Sequence, residues 1–200
     1  MRRQGNIRLV VSFLIAIAMA LILPGLSIAG SLEPPPHAVD GSGNPIPTTH
    51  PKFACRGAFM DNADGTVTDC KTGMIWMKNA RCFDPKRWSD ALAVCSALAS
   101  GSCDLNDGSS AGDWRLPTIE ELKTLPDRAY FSPTLSNAKG DGQWIEGDAF
   151  AGVQSPTGYW SATTRAADVS TAWGVWLFDG SVYWGWKLNY YNVWCVRGGN

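Results

Sequence analysis

The stretch Ala172–Arg197, AWGVWLFDGSVYWGWKLNYYNVWCVR, decides how the fold is interpreted. Nine of its 26 residues are aromatic, and Asp179-Gly180 near its centre is a dipeptide typical of two-residue hairpin turns. So many rings indicate the buried face of a sheet, an exposed binding surface, or both. The stretch therefore predicts a β-hairpin, and the open question is which of its faces is buried.

A turn at Asp179-Gly180 fixes the pairing of the two strands and, because side chains alternate, their faces. It sets Trp176 opposite Tyr183 and Gly174 opposite Gly185. One face is wholly apolar and is predicted to face the core: Trp173, Val175, Leu177, Val182, Trp184 and Trp186. The other is predicted to be a partly open aromatic patch: Gly174, Trp176, Phe178, Ser181, Tyr183, Gly185 and Lys187. The alternative is that residues 127–158, a long irregular loop, cover this second face.

The N-terminal residues 1–29 have the pattern of a secretory signal peptide. Three arginines precede the apolar run 9–23, and small residues at Ser27 and Ala29 suit a signal peptidase. The apolar run is shorter than the 20 or so residues of a bilayer span. After cleavage of the signal, no transmembrane segment is expected in the chain. The alternative is an uncleaved anchor. The protein is expected to be exported to the periplasm, the cell surface or the exterior of a Gram-negative-type bacterium.

The remaining chain divides into a linker and one domain. Residues 30–54 are predicted to be an exposed linker, because 31–54 contain six prolines and two glycines. Residues 55–200 suit one domain with a sizeable core. Residues 1–29 hold three of the 17 basic residues and none of the 18 acidic ones, so the rest of the chain carries a net charge of −4. That balance argues against a nucleic-acid partner.

Local signals predict several elements of this domain. Thr66–Asp69 and Met74–Met77 are strand candidates between Gly-containing turns, and Tyr159–Thr164 is a third. Apolar residues recur at helical spacing over Trp88–Ala99. Thr118 and Glu121 have the spacing of a capping box at the start of a second, short helix.

The residue types argue against catalysis and give little support to a cofactor. No histidine occurs from Lys52 onward, which removes the usual Ser-His and Cys-His dyads and histidine metal sites. Arg115 is expected to pair with nearby acidic side chains rather than with a ligand. No cofactor is predicted; calcium is conceivable in the long loop, at Asp141, Glu146 and Asp148, although their spacing matches no calcium motif.

All six cysteines follow the predicted signal, and an even count in an exported chain predicts disulfides. Fifteen pairings are open at this point. The motifs DNADGTVTDCKTGMIWM, WSDALAVC, DWRLPTIEEL, YWSATT, AWGVWLFDG and CVRGG occur in this order over residues 59–199. Together they resemble the C-terminal domain family of the collagen-like adhesin Lcl, a bacterial domain of unknown function, and a related surface-domain family of fibre-degrading bacteria.

This resemblance implies a C-type-lectin-like α+β fold with two helices, a twisted antiparallel sheet and terminal strands close together. It also suggests a disulfide between Cys95 and Cys195. Proximity then suggests the pairs Cys82 with Cys103 and Cys55 with Cys70.

The resemblance also directs attention to the aromatic residues. The adhesin domain is associated with sulfated glycosaminoglycans, which the acidic balance of this chain does not favour. Trp176 and Phe178 stand where the family pattern has polar residues, and Trp194 stands where an arginine is usual. With Tyr183 they form the predicted ligand-binding set. The expected function is a non-catalytic module binding a glycan or a surface protein; the alternative is an assembly subunit that self-associates.

Overall fold

The computed structural model describes residues 55–198, so the predicted signal peptide and linker lie outside the described residues. This part of the chain is an α+β domain with two antiparallel sheets and two helices. The elements, in chain order, are β1 Phe59–Asp61, β2 Thr66–Asp69, β3 Ile75–Met77, α1 Trp88–Ala97, α2 Ile119–Leu122, β4 Tyr159–Thr164, β5 Thr171–Val175, β6 Val182–Trp186 and β7 Val196–Arg197. No helix among these residues has the length and apolar character that a membrane crossing requires.

The first sheet joins the beginning and the end of the described chain. Its strand order is β1-β2-β3-β7, so the last strand pairs with β3, and Trp76 lies opposite Val196. The turn between β1 and β2 needs Gly65, whose φ is +85° and which lies against the backbone of Asp104, where a Cβ atom would have no room. The terminal strands therefore share one sheet, as the resemblance implies.

The second sheet contains the aromatic hairpin in the order β4-β5-β6. Its observed register places Trp173 opposite Trp184 and Gly174 opposite Tyr183. The predicted pairing of Trp176 with Tyr183 and of Gly174 with Gly185 is therefore wrong by two residues. The prediction of one continuous sheet also needs correction, because the strands form two separate sheets.

The register differs because the hairpin loop has four residues rather than two. The backbone N–H of Trp176 donates to the carbonyl of Ser181 at 2.9 Å, so residues 177–180 form the loop. Within it the Gly180 N–H donates to the Trp176 carbonyl at 2.9 Å. The loop is fixed from outside by the long segment 127–158, since Thr134 donates its backbone N–H to the Leu177 carbonyl at 2.6 Å. The loop is therefore held by a hydrogen bond between residues 43 positions apart, and it does not form the two-residue turn that Asp179-Gly180 predicts.

The helices follow the local sequence signals. Helix α1 begins at Trp88 as predicted and ends at Ala97, two residues early. At α2 both hydrogen bonds of the capping box between Thr118 and Glu121 are present. Arg115 holds the Glu121 carboxylate with two hydrogen bonds of 2.7 Å, which confirms the structural pairing expected for this arginine.

Three disulfides join Cys55 to Cys70, Cys82 to Cys103 and Cys95 to Cys195, and all three predicted pairs are confirmed. The last of them ties the buried face of α1 to the residue before β7. Such bridges are typical of proteins that fold in an oxidising compartment outside the cytoplasm.

The core is unusually rich in tryptophan. Edge-to-face contacts connect Trp194 to Trp76 and to Phe150, with ring centroids 5.4 and 4.9 Å apart. Phe150 comes from the long loop, which also buries Leu135. The loop is therefore part of the packed core although it contains no strand or helix. The largest fully buried side chains are Trp76, Trp114, Trp160, Trp194, Tyr159, Phe150, Met77, Leu116, Leu122, Leu125, Leu135 and Leu177.

Candidate functional site

Exposed apolar side chains concentrate on the hairpin and the residues that follow it. Ten large hydrophobic residues are exposed in the described chain, and seven of them lie between residues 176 and 190. Such a concentration of exposed apolar side chains is typical of interaction sites, so this region is the candidate functional site. The seven are Trp176, Phe178, Val182, Trp184, Trp186, Leu188 and Tyr190.

One aromatic group lies at the turn of the hairpin, and we call it the tip cluster: Phe131, Trp176, Phe178 and Tyr183. Phe131 of the long loop packs edge-to-face on Phe178 at a centroid distance of 4.4 Å. Trp176 and Tyr183 are tilted against each other at 5.6 Å. Trp176, Phe178 and Phe131 are 41%, 42% and 59% exposed, so each ring keeps a free area.

Backbone contacts position the tip cluster. The Phe178 carbonyl accepts the Ser132 N–H at 2.9 Å, next to the contact between Thr134 and Leu177. On the other side, the rings of Trp176 and Tyr183 lie directly against Gly158, where a Cβ atom would collide with both. The alternative in which the long loop covers this face is therefore correct only in part, because the loop contributes Phe131 and leaves Trp176 and Phe178 exposed.

The second group of exposed apolar residues is the β6 stripe, which we define as Val182, Trp184 and Trp186. Their side chains point to the opposite face from Tyr183, and they are 43%, 46% and 53% exposed. Their predicted place in the core is wrong, although Val175 and Leu177 of the same predicted face are buried. Here β6 is an edge strand of the three-stranded sheet, and these side chains are exposed at that edge.

The glycine-rich face is buried instead, because tyrosines lie over it. The Tyr183 hydroxyl donates to the Tyr159 carbonyl at 3.4 Å, and its ring occupies the space above Gly174. Tyr191 lies in the same way over Gly185 and contacts the Tyr183 ring at 5.1 Å. Burial raises the pKa of the Tyr183 hydroxyl, which stays protonated throughout the physiological range.

Trp194, the fourth predicted ligand-binding residue, is fully buried. Its indole N–H donates to the Met77 carbonyl at 2.7 Å, which joins the segment before β7 to the end of β3. The prediction that it lies on the open face is wrong. The uninterrupted apolar run Val193–Val196, typical of a segment buried on both faces, was the available signal that this tryptophan faces inward.

Cations stack on several rings near the β6 stripe. The Arg165 guanidinium lies 4.6 Å from the centre of the Trp184 ring. Lys187 lies 3.8 Å from the Trp88 ring and donates to the Thr164 hydroxyl. These contacts occupy one side of each ring and hold its orientation.

The acidic side chains of the long loop accept hydrogen bonds from nearby groups of the same loop. Glu146 accepts the Gly152 N–H at 2.8 Å, and Asp141 accepts a hydrogen bond from the Asn137 amide at 2.9 Å. Residues 55–198 contain no group of three or more His, Cys, Asp or Glu side chains arranged to hold a metal ion. Asp148 accepts only a 3.4 Å hydrogen bond from the Ala138 N–H.

The sequence pattern of the Lcl C-terminal domain family matches residues 65–197. This chain belongs to that family. No curated protein matches the chain. In this Lcl C-terminal domain the matched segment includes all of β2 to β7 and the whole aromatic hairpin, so the tip cluster and the β6 stripe both belong to the family domain.

Sequence reasoning missed one member of the tip cluster of this Lcl C-terminal domain. Phe131 lies in the irregular segment, 45 or more residues from the other rings, and no periodicity connects it to them. The available signal was the composition of the loop around Phe131. An aromatic residue among Ser, Pro, Gly and Asn in a long loop suggests contact with a ligand or with the core.

Proposed function

We propose that this protein is an exported, non-catalytic binding module that holds a glycan on the tip cluster. In this proposal the domain has a C-type-lectin-like architecture and works in the periplasm, on the surface or outside a Gram-negative-type bacterium. The supporting observation is the tip cluster itself, in which two aromatic pairs, Phe131 with Phe178 and Trp176 with Tyr183, lie at one hairpin and three of the four rings keep a free area.

The tip cluster suits the flat apolar faces of sugar rings. Tryptophan and phenylalanine present large rigid areas and lose little rotamer entropy on binding. The hydrogen bonds from Ser132 and Thr134 to the hairpin loop fix the rings in place before a ligand arrives, which lowers the cost of binding. The Ser132 and Ser155 hydroxyls, 3.3 Å apart beside Phe131, offer polar partners for sugar hydroxyl groups.

Charge at the hairpin loop favours a neutral ligand. Asp179 is exposed, and hydrogen bonds from the side chain and backbone of Ser181 hold the pKa of its carboxyl below the ordinary range. The backbone N–H of Asp179 itself and the positive charge of Arg128 lower this pKa further. The carboxylate is therefore charged at neutral pH, and together with the net charge of −4 on residues 30–200 it disfavours a polyanion. A neutral glycan accordingly fits the tip cluster better than a sulfated one.

The test is a titration of the exported protein with neutral and sulfated oligosaccharides, monitored by tryptophan fluorescence. We expect neutral oligosaccharides to saturate the signal and Trp176→Ala to weaken their affinity about tenfold or more, as loss of a central aromatic contact does. Trp184→Ala is the matched control, since it removes a tryptophan of similar exposure from the other face.

Two results would contradict the proposal. One is the absence of any saturable response to a broad set of neutral glycans. The other is an equal loss of affinity in Trp176→Ala and Trp184→Ala, which would show that the tip cluster is not the binding surface. A measurement of melting temperature on both variants separates loss of binding from loss of fold.

A further inference from the structure

Among residues 55–198, another segment hydrogen-bonds to every sheet edge except one. The outer edge of β1 is met by the Ala138 carbonyl, and that of β7 pairs with Arg115 in both directions. The outer edge of β4 bonds to the Asn192 and Pro117 carbonyls. Within residues 55–198 no segment pairs with the outer edge of β6.

The register shows which backbone groups this edge presents. The bonds from Trp176 to Ser181 and from Lys187 to Ser170 mark the hydrogen-bonded positions of the antiparallel pair. In such a pair alternate residues direct their N–H and C=O groups away from the partner strand. In β6 these are Val182, Trp184 and Trp186, the residues of the β6 stripe. The Trp186 carbonyl accepts the Asn189 N–H, which leaves both groups of Val182 and of Trp184 without a backbone partner in the described chain.

This edge also lacks the usual protection against strand pairing. Native edge strands carry charged residues, proline or bulges that prevent another strand from adding to them. Residues 181–186, SVYWGW, contain no charge and no proline, and the register of β5 with β6 is regular. An open edge of this kind is available for pairing with another strand.

We propose that the partner is a second copy of this chain, joined by antiparallel pairing of β6 with β6 around a two-fold axis at Tyr183. This register sets Val182 of each copy opposite Trp184 of the other. It satisfies both backbone groups of both residues, and it merges two three-stranded sheets into one of six strands. A two-fold arrangement is the commonest for identical subunits, because one patch then serves both copies.

Side-chain complementarity supports this register. Apolar pairs of a β-branched and an aromatic side chain, such as Val182 with Trp184, are favourable across strands.

The exposed area of the β6 stripe indicates a weak dimer. A fully exposed aromatic side chain offers about 150–250 Å², so the open parts of the three side chains amount to roughly 250–300 Å² per copy. Stable interfaces bury about 1,200–2,000 Å² in total. The pairing is therefore concentration-dependent in solution and strongest where many copies are held close together, as on a surface.

Sedimentation velocity of the exported protein, from low micromolar to millimolar concentration, tests the proposal. We expect a reversible monomer–dimer equilibrium that is lost in Trp184→Lys, which puts a charge in the pairing edge, and kept in Ile145→Lys, a matched change at an exposed site of the long loop. Val182→Pro removes one outward N–H without adding charge, and it is expected to abolish the dimer as well. It replaces Trp184→Lys if that variant fails to fold.

Amide hydrogen exchange tests the register. Amide exchange of Val182 and Trp184 should slow at high concentration, whereas that of Tyr183 and Gly185, already bonded to β5, should not change.

A monomer at every concentration, or an unchanged dimer in both Trp184→Lys and Val182→Pro, would overturn the proposal. A dimer in which the amide exchange of Val182 and Trp184 is unchanged would overturn the two-fold axis at Tyr183. The inference does not rest on the proposed glycan site, because the tip cluster and the β6 stripe lie on opposite faces and their variants are scored by different assays.

Discussion

The three disulfides should contribute unequally to stability, and the sizes of their loops rank them. They close loops of 15, 21 and 100 residues in the order Cys55–Cys70, Cys82–Cys103 and Cys95–Cys195. The loss of chain entropy in the unfolded state grows with the logarithm of loop length, which gives about 3.0, 3.3 and 4.7 kcal/mol for the three bridges. Removal of Cys95–Cys195 should therefore cost about 1.5 kcal/mol more than removal of either of the others.

Packing should widen this difference. Cys95 and Cys195 are both fully buried in the core, between α1 and β7, so the loss of their sulfur atoms leaves a small cavity. Cys55, Cys70 and Cys103 are only partly buried, and their removal leaves less empty space. The cavity adds to the loss of about 4.7 kcal/mol in the Cys95–Cys195 variant, whereas it adds little in the other two.

Guanidinium unfolding of three double Cys→Ala variants, prepared from an oxidising compartment, measures the three costs directly. Double variants avoid a free thiol that could exchange with the remaining bridges. If the Cys95–Cys195 variant were no less stable than the Cys55–Cys70 variant, the ranking by loop length would be refuted for this domain. Equal slopes against denaturant are the control that the unfolded states remain comparable.

Two further predictions concern the aromatic core and the capping network. Trp194→Ala should lower the free energy of unfolding by about 3–5 kcal/mol. Trp184→Ala changes a half-exposed site and should lower it by about 1 kcal/mol or less. Thermal melts that give similar losses for both variants would show that Trp184 belongs to the core. The second concerns Glu121, whose pKa is held below its ordinary value by hydrogen bonds from Arg115 and from the Thr118 backbone. Because the folded state favours the ionised form, this contribution is present above the ordinary pKa of glutamate, about 4.3, and is lost as pH falls through the lower folded value. Glu121→Gln should therefore be less stable than wild type at pH 7 and approach it in acid, and a constant difference in acid denaturation curves would contradict the assignment.

The parts of the fold that the sequence predicts well are those decided by near neighbours. The start of α1 at Trp88 follows from helical spacing, and the capping box of Thr118 and Glu121 spans only three residues. Strand β2 is predicted at its observed bounds because turn residues flank it on both sides. The disulfides required more than spacing, since fifteen pairings were open and only the family resemblance suggested Cys95 with Cys195.

The hairpin shows why the candidate site was predicted only in part. Alternation separates Trp176 and Phe178 from Leu177, and the structure keeps that separation, with Leu177 buried and the other two exposed. The length of the loop could not be anticipated, because it depends on hydrogen bonds from Ser132 and Thr134 in a distant segment. The burial of the glycine face depends on Tyr191, which returns over the sheet after the hairpin ends. Burial is a property of the assembled sheets, and alternation along one strand does not say which face meets the core.

The position of Val193–Val196 has a consequence for how the protein is made. These four residues are fully buried: Val193, Trp194, Cys195 and Val196. They supply a half-cystine, the central ring of the core and the first residue of β7, all near the C-terminal end of the domain. A domain that is made from its N-terminal residues onward cannot complete its core until these four residues are present. Until then the first sheet lacks one edge strand and Cys95 has no partner, so neither the native packing nor the Cys95–Cys195 disulfide can form before them.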